Sequence, residues 1–191
     1  MSIDNLDLFN TVRALPEGLR YIAEFISPEE EQTLVETFAS LPFKEFEFHG
    51  YLGKRRVVSF GWRYNYGKRV TTAADPIPEF LLPLRERAAR FAELPAQELQ
   101  QTLITEYTPG AGIGWHRDRA VFGEVVGISL LSPCTLRFRR PIADGWERRT
   151  LTPQPRSAYL LQGPARTQWA HSIPPVRSLR YSVTFRRHLV R

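Results

Sequence analysis

The sequence has a single cysteine and no long apolar run, and each scarcity narrows what this 191-residue chain can be. With Cys134 alone, no disulfide can form within the chain. No apolar stretch approaches the roughly 20 residues that a transmembrane helix needs. The start of the chain, Met1-Ser2-Ile3-Asp4-Asn5, lacks the basic residues of a signal peptide. We therefore expect a cytoplasmic protein that does not enter a membrane.

Linkers and repeats are also missing. No Gly/Ser-rich stretch or internal repeat divides the sequence, and 191 residues suffice to bury a sizeable core. We expect one domain, residues 1–191, and a monomer. Cys134 alternates with Leu136 and Phe138, so we interpret it as a buried apolar side chain rather than a redox group.

Acidic residues are in the minority. The chain has 20 Asp and Glu against 26 Lys and Arg, which gives a formal net charge of +6 and a sequence pI near 9.8. A basic surface attracts polyanions, so the charge balance favours a nucleic-acid partner. Charge alone does not decide the point, because many basic proteins bind no nucleic acid.

The hydrophobic pattern predicts an α+β order. Ser27-Pro28-Glu29-Glu30 is a capping box, and the apolar stripe behind it predicts a first helix. Apolar residues at helical spacing predict a second helix over about 78–93. From residue 99 onwards the pattern predicts six short strands, which suggests a double-sheet jelly roll with the helices on one outer face. The predicted strands are 103–107, 115–118, 125–131, 135–139, 158–161 and 179–186.

The most informative motif is a His-x-Asp pair followed at a distance by another histidine. On a strand, residues two apart point to the same face, so His116 and Asp118 can bind one ion from one side. A third ligand, His171, would come from a neighbouring strand. Two imidazoles and one carboxylate form the facial triad of iron(II) oxygenases. A His-x-Asp pair alone is more often structural than metal-binding.

A pair of arginines strengthens the metal interpretation. Arg180 and Arg186 are separated by an even number of residues, so on a strand both side chains face the same way. Each guanidinium can form a bidentate pair with a carboxylate. A small dicarboxylate that chelates the metal would need such a clamp.

These motifs resemble those of the AlkB-type iron(II)/2-oxoglutarate-dependent dioxygenases. The resemblance implies a double-stranded β-helix (jelly-roll) core over about 101–191, preceded by an extension over about 1–100 that carries a nucleotide-recognition lid. It implies that His116, Asp118 and His171 bind iron(II), with dioxygen at a remaining position. The segments that carry the resemblance are 104–113, 116–118, 169–173 and 180–186.

The resemblance also implies a 2-oxoglutarate site. Tyr107 matches a tyrosine that forms a hydrogen bond with the cosubstrate. Arg180 matches the arginine that forms a salt bridge with the cosubstrate, and Arg186 matches a second arginine close to it. Thr105 stands where the best-known member has an asparagine that bonds the cosubstrate. Ala120 stands where that member has an acidic residue used in selecting the base, so substrate choice does not carry over.

The segment from Arg55 to Arg69 mixes cations with aromatic residues. Aromatic rings stack on bases and cations meet phosphates, so the segment suits nucleic acid and resembles the family's lid over a flipped nucleotide. The competing interpretation is an exposed hairpin whose aromatic residues pack on the body of the protein. The substrate-binding candidates in this segment are Arg55, Arg56, Trp62, Arg63, Tyr64 and Arg69.

Several other basic residues have less definite roles. Arg166 either orients the pocket or contacts the substrate. The cluster of Arg137, Arg139 and Arg140 is either a solvated strand edge or a phosphate contact. The remaining histidines, His49 and His188, have no partner at ligand spacing and are predicted to be surface residues. The sequence therefore assigns no single role to these basic residues.

The function that the resemblance implies is oxidative demethylation of alkylated bases in DNA or RNA, presented single-stranded or flipped out of a duplex. Two alternatives stay open. One is hydroxylation of modified nucleosides in tRNA. The other is hydroxylation of a protein or small molecule, or a binding module without catalysis, although the complete triad argues against loss of catalysis.

Overall fold

Two facing sheets, a hairpin and three helices make up the described residues, which are 15–48, 51–65 and 70–189 of this computed structural model. The large sheet has seven antiparallel strands. Numbered along the chain, they lie in the order β1 (Leu19–Ile22), β11 (Ala158–Leu161), β8 (Phe122–Leu130), β13 (Arg180–His188), β6 (Leu99–Tyr107), β3 (Tyr51–Phe60) and β2 (Lys44–Phe48).

The small sheet has four antiparallel strands that face the large sheet. Their order is β10 (Gly145–Leu151), β9 (Leu136–Ile142), β12 (Ala170–Ile173) and β7 (Ile113–His116). A separate hairpin joins β4 (Trp62–Asn65) to β5 (Val70–Ala73). The helices are α1 (Pro28–Phe38), α2 (Leu82–Ala92) and the short α3 (Gly163–Thr167).

Helix α1 begins as the capping box predicts. The Glu30 amide donates to the Ser27 hydroxyl, and the Ser27 amide donates to the Glu30 carboxylate. The second predicted helix begins later than expected, because residues 79–81 form a 3₁₀ turn and Pro83 then occupies the first turn of α2. None of the helices described has the length and apolar character required to span a bilayer.

Strand alternation divides the core into two apolar layers. On β13, Tyr181, Val183 and Phe185 face outward and pack with α1 and α2. The intervening residues of β13 face inward, between the sheets. The inner layer joins both sheets through Tyr107, Val125, Leu136, Phe138, Tyr159 and Leu161. The predicted jelly roll with helices on one outer face is therefore confirmed, and Cys134 is buried in the inner layer as predicted.

Some strand predictions were wrong in extent or missed an element. The strand predicted over 115–118 ends at His116, where pairing with β12 ends, so Asp118 lies in the loop that follows. Strands β1, β2 and β3, which belong to the large sheet, were not predicted, and after residue 99 strands β10 and β12 were also missed. β10 is an edge strand rich in charged residues, and β12 has only four residues, so neither has a clear apolar alternation.

Candidate metal and cosubstrate site

The two histidines of the predicted triad face each other across neighbouring strands. His116 ends β7 and is paired in register with His171 of β12, and their ring centroids lie 4.3 Å apart. Asp118 reaches the same place from the loop after β7. One potential ligand atom from each of the three residues lies within 4.8 Å of the others. The fold thus brings the three predicted ligands into one cluster.

The protonation states suit metal binding. The Nδ1 of His116 lies 3.0 Å from the carbonyl of Gly114, which can only accept, so this nitrogen carries the proton and Nε2 keeps its lone pair. Burial, and then the neighbouring His116, lowers the pKa of His171 to about 3, so its imidazole is neutral at pH 7. The His171 imidazole can therefore offer an electron pair to a metal near neutral pH.

The third group, Asp118, stays ionised although it is largely withdrawn from solvent. Burial raises its pKa, but Arg186 and the two histidines lower it by more, so the net pKa lies well below the usual range. The Arg186 guanidinium lies 3.5 Å from the carboxylate and also donates to the side chain of Gln101 at 2.9 Å. Arg186 is thus held between β6 and the metal site, where it fixes the orientation of Asp118.

The triad lines a cavity of about 450 Å³ between the sheets. The predicted cosubstrate residues Thr105, Tyr107 and Arg186 also line it. Thr105 and Tyr107 are both buried on the inner face of β6. The other inward residues of β13 that line the cavity are Ser182 and Thr184.

Arg180 is fully buried beside this cavity, with much of its hydrogen-bonding capacity unused. Its Nη2 donates to the Ser129 hydroxyl at 3.2 Å, and its guanidinium lies 4.9 Å from the ring centroid of Tyr107. Its Nε and Nη1 atoms have no partner among the described residues. Buried donors, above all charged ones, are normally satisfied. A carboxylate that binds next to Tyr107 would satisfy both atoms, so the site fits a dicarboxylate cosubstrate.

Tyr159 is a cavity residue that sequence reasoning missed. It lies on the inner face of β11, and burial raises the pKa of its hydroxyl, so the side chain is neutral. The signal that could have found it is Gly127, in the middle of an apolar strand, because such a glycine often marks a close approach. Gly127 is paired with Tyr159 in register.

The candidate lid residues divide into two groups. Arg55 lines the cavity, lies 3.8 Å from the ring centroid of Phe46, and donates to the Gly112 carbonyl at 3.4 Å. Tyr64 lies beneath the Arg119 guanidinium, 5.3 Å from it, and Arg119 also lines the cavity. Arg55 is therefore part of the cavity wall, whereas Tyr64 packs against a residue of that wall.

The second group of lid candidates packs on the body of the protein. The Trp62 ring stacks on the imidazole of His188, with centroids 4.7 Å apart and planes 4° apart. His188 also contacts Phe122 and is partly buried, which corrects its prediction as a surface residue. Trp62 therefore packs on the body of the protein, as the competing interpretation of this segment expects. Positions 49 and 69 and the side chain of Arg63 lie outside the described residues.

Arg56 lies on the face of β3 opposite to the cavity. It forms a bidentate salt bridge with Glu106 of β6, at 2.7 and 2.9 Å, and Glu106 also accepts from the hydroxyl of Tyr181. The charge of Arg56 thus satisfies a buried carboxylate within the fold. A contact between Arg56 and substrate stays a prediction.

Arg166 also has a structural role. Its side chain is 8% exposed and donates to the carbonyls of Arg119, Phe122 and Gly123, at 2.5, 2.5 and 2.9 Å. It therefore fixes the loop that follows Asp118, which suits the alternative that Arg166 orients the pocket, and a contact with substrate stays a prediction. The three acceptors are backbone groups, so the sequence offered no residue pattern that indicated this role.

Comparisons with known proteins agree with this site. The model of the 2OG-Fe(II) oxygenase superfamily matches residues 18–186. The "Alkylated DNA repair protein ALKBH8 homolog" of Arabidopsis thaliana is 29% identical over 181 residues, which cover 82% of this chain and 51% of that protein. The mouse "tRNA (carboxymethyluridine(34)-5-O)-methyltransferase ALKBH8" is 31% identical over 174 residues, which cover 86% of this chain and 25% of that protein. The chain thus spans about half of the first relative and a quarter of the second.

A solved structure supports the fold. The structure of OsALKBH1 aligns with a TM-score of 0.71 at 16% identity, over 92% of this chain and 98% of that chain. At this identity the likeness concerns the fold. The family match and the His-Asp-His cluster carry the chemistry. The chain belongs to the 2OG-Fe(II) oxygenase superfamily, is of AlkB type, and is a dioxygenase that depends on iron(II), 2-oxoglutarate and dioxygen.

Proposed function

We propose that this dioxygenase oxidatively demethylates alkylated bases in DNA or RNA that are single-stranded or flipped out of a duplex. The observation that carries the proposal is the lining of the cavity. Arg55 and Arg119 both line it, and each guanidinium lies over an aromatic ring, those of Phe46 and Tyr64. Paired cations and rings suit the phosphate and the base of one nucleotide. The net charge of +6 agrees with a polyanionic substrate.

The residues of the chain divide the work of the reaction. His116, Asp118 and His171 would hold the metal, and Arg180 with Tyr107 would bind the far carboxylate of 2-oxoglutarate. When bound, the iron and 2-oxoglutarate supply, with dioxygen, the oxidising power that hydroxylates a C–H bond. The chain places that bond in the cavity between the sheets. If the carbon belongs to an N-methyl group of a base, the hydroxymethyl group that forms leaves the ring nitrogen as formaldehyde.

A second candidate is hydroxylation of a modified nucleoside in tRNA. It is favoured by the 31% identity with the mouse relative, whose name refers to a tRNA uridine. The same site would serve both reactions. They differ in what becomes of the hydroxylated carbon, since a carbon bound to a ring nitrogen is lost and a carbon bound to a ring carbon is kept.

The test is an untargeted comparison of nucleosides and peptides after incubation with enzyme, iron(II) and 2-oxoglutarate. Methylated DNA and RNA oligonucleotides, total tRNA and a peptide mixture serve as substrates, and Asp118→Ala is the inactive control. Loss of a methyl group from a base, with formaldehyde released, is the expected result.

Two other results would change the assignment. A nucleoside that gains one oxygen and keeps its carbon would favour the tRNA hydroxylase. Peptides that gain oxygen while every nucleoside is unchanged would exclude a nucleic-acid substrate. Each product must be absent with Asp118→Ala, because that variant lacks the carboxylate ligand.

A further inference from the structure

On the outer face of the small sheet, one arginine lies between two tryptophans. The guanidinium of Arg139 in β9 lies 4.3 Å from the ring centroid of Trp115 and 4.3 Å from that of Trp146. Trp146 is 43% exposed, which is unusual for so large an apolar side chain. The stack therefore reaches the protein surface.

The charge of Arg139 is not neutralised within the described residues. Its Nε atom is buried without a hydrogen-bond partner, and it forms no salt bridge there. The nearby carboxylate of Glu147 is instead paired with Arg140 and Arg149, at 2.6 and 2.5 Å. Stacking occupies the faces of a guanidinium and leaves its edge donors for an anion. Arg139 is thus prepared for an anion that the described part of the chain does not supply.

The stack borders a groove of about 430 Å³. Arg117, Arg139 and Arg140 line the groove with Trp146, and the segment 167–170 closes one side. No carboxylate of the described residues belongs to its lining. Arg140 is paired with Glu147, but Arg117 and Arg139 have no salt bridge among the described residues, so with the exposed indole of Trp146 they give the groove a positive potential and a flat apolar surface. This combination matches phosphates with a base between them.

The groove is continuous with the active-site cavity. Arg117, which directly follows β7, lines both. Trp115 also lines the cavity, and its ring lies against Arg139, which lines the groove. A single-stranded nucleic acid whose reacting nucleotide occupies the cavity can therefore pass Arg117 and enter the groove.

We propose that this groove, lined by Arg117, Arg139, Arg140 and Trp146, binds the phosphodiester backbone that continues from the nucleotide in the cavity, with Trp146 stacked on a flanking base. This proposal rests on the proposed nucleic-acid function. An acidic peptide would also meet the arginines, but it would leave the exposed indole without a partner. The bases of a single strand use both features of the groove.

The experiment compares the binding of a labelled oligouridylate of about 16 nucleotides with that of a uridine dinucleotide, by fluorescence anisotropy at several salt concentrations. The variants are Arg139→Gln, Arg139→Lys and Trp146→Ala. The matched control is Arg90→Gln, an exposed arginine in the last turn of α2, in the helix layer on the far side of the large sheet. Thermal unfolding verifies that every variant is folded.

For Trp146→Ala we expect the affinity for the long oligonucleotide to fall about 5- to 150-fold, the range of one base stack. For Arg139→Gln we expect a lower affinity and a salt dependence reduced by about one phosphate contact. Arg139→Lys keeps the charge but loses the planar stack, so we expect an intermediate affinity. The dinucleotide, which has only one flanking nucleotide, should be affected less by each variant than the long oligonucleotide.

The outcomes separate this proposal from the function on which it rests. If the wild type modifies and binds the long oligonucleotide but Arg139→Gln and Trp146→Ala behave like Arg90→Gln, the groove is wrong and the function stands. If the wild type binds no oligonucleotide, both are wrong. Tighter binding of a polyglutamate peptide than of the oligonucleotide, lost in Arg139→Gln, would assign the groove to an acidic protein and overturn the proposal.

Discussion

Gly127 in β8 and Tyr159 in β11 are paired in register, and a β-carbon on Gly127 would lie 2.3 Å from Cζ of the tyrosine ring. The ring therefore lies flat against the backbone of β8, in space that only glycine leaves open. In this position Tyr159 forms part of the cavity wall. The shape of the cosubstrate end of the cavity therefore depends on the fact that Gly127 has no side chain.

Gly127→Ala should therefore displace the Tyr159 ring. We expect a loss of about 1–3 kcal/mol in the free energy of unfolding, the usual cost of overpacking a core, and weaker binding of 2-oxoglutarate. Chemical denaturation and titration calorimetry measure the two effects. Gly114→Ala is the control for stability, because its β-carbon would have no atom within 4 Å. Equal stability of the Gly127 and Gly114 variants would show that the ring moves without cost.

Arg180→Lys keeps the buried charge but loses the planar fork of donors. We expect the affinity for 2-oxoglutarate to weaken by about 1.5–3 kcal/mol, the scale of a hydrogen bond to a charged group. Titration calorimetry with manganese(II) in place of iron measures it. Arg177→Lys, at an exposed position just before β13, is the matched control. An unchanged affinity would mean that the carboxylate binds another residue.

The Arg56–Glu106 pair predicts a specific dependence of stability on pH. The hydrogen bonds from Arg56 lower the pKa of Glu106 below its ordinary value of 4.5. The ionised carboxylate therefore stabilises the folded state above pH 4.5, and this contribution is lost as the pH falls through the lower, folded-state pKa. Glu106→Gln should be less stable than the wild type at pH 7, and the difference should shrink below pH 4.5.

Denaturant unfolding at a series of pH values measures this difference. Glu86→Gln, at an exposed position in α2, is the control for removing one acidic charge. A difference between wild type and Glu106→Gln that stays constant from pH 7 to below pH 4.5 would contradict the role assigned to the pair.

Tyr64 and Trp62 should respond differently to truncation. If Tyr64 stacks on a base, Tyr64→Ala should cost about 1–3 kcal/mol in binding a single-stranded oligonucleotide, while Tyr64→Phe keeps the ring and the affinity. Trp62→Ala should lower the thermal stability more than the affinity for the oligonucleotide, because Trp62 is stacked on His188. Anisotropy and thermal unfolding distinguish the two effects. A loss of affinity in Tyr64→Phe equal to that in Tyr64→Ala would point to the hydroxyl instead of the ring.

Local spacing explains what the sequence could predict. The alternation of a strand places Arg180 and Arg186 on one face, and the structure has both on the inner face of β13. The capping box located the start of α1 in the same way. These features need only neighbours in the chain, so a pattern of a few residues specifies them.

Partners from distant strands explain what the sequence could not predict. Arg56 and Glu106 are 50 residues apart and meet because β3 pairs with β6 in one particular register. Trp62 likewise contacts His188, which is far from it in the sequence. Nothing near Arg56 or Trp62 in the sequence distinguishes a residue with such a partner from one that contacts substrate.

The two parts of the candidate site belong to different layers of the sandwich. The metal-binding positions belong to the small sheet and the loop after β7, while Arg180 projects from the large sheet. A cosubstrate bound at both ends would act as a non-covalent cross-link between the layers. Its binding would then slow the separation of the sheets, so hydrogen exchange should decrease along β12 and β13 together, well beyond the residues that contact the ligand.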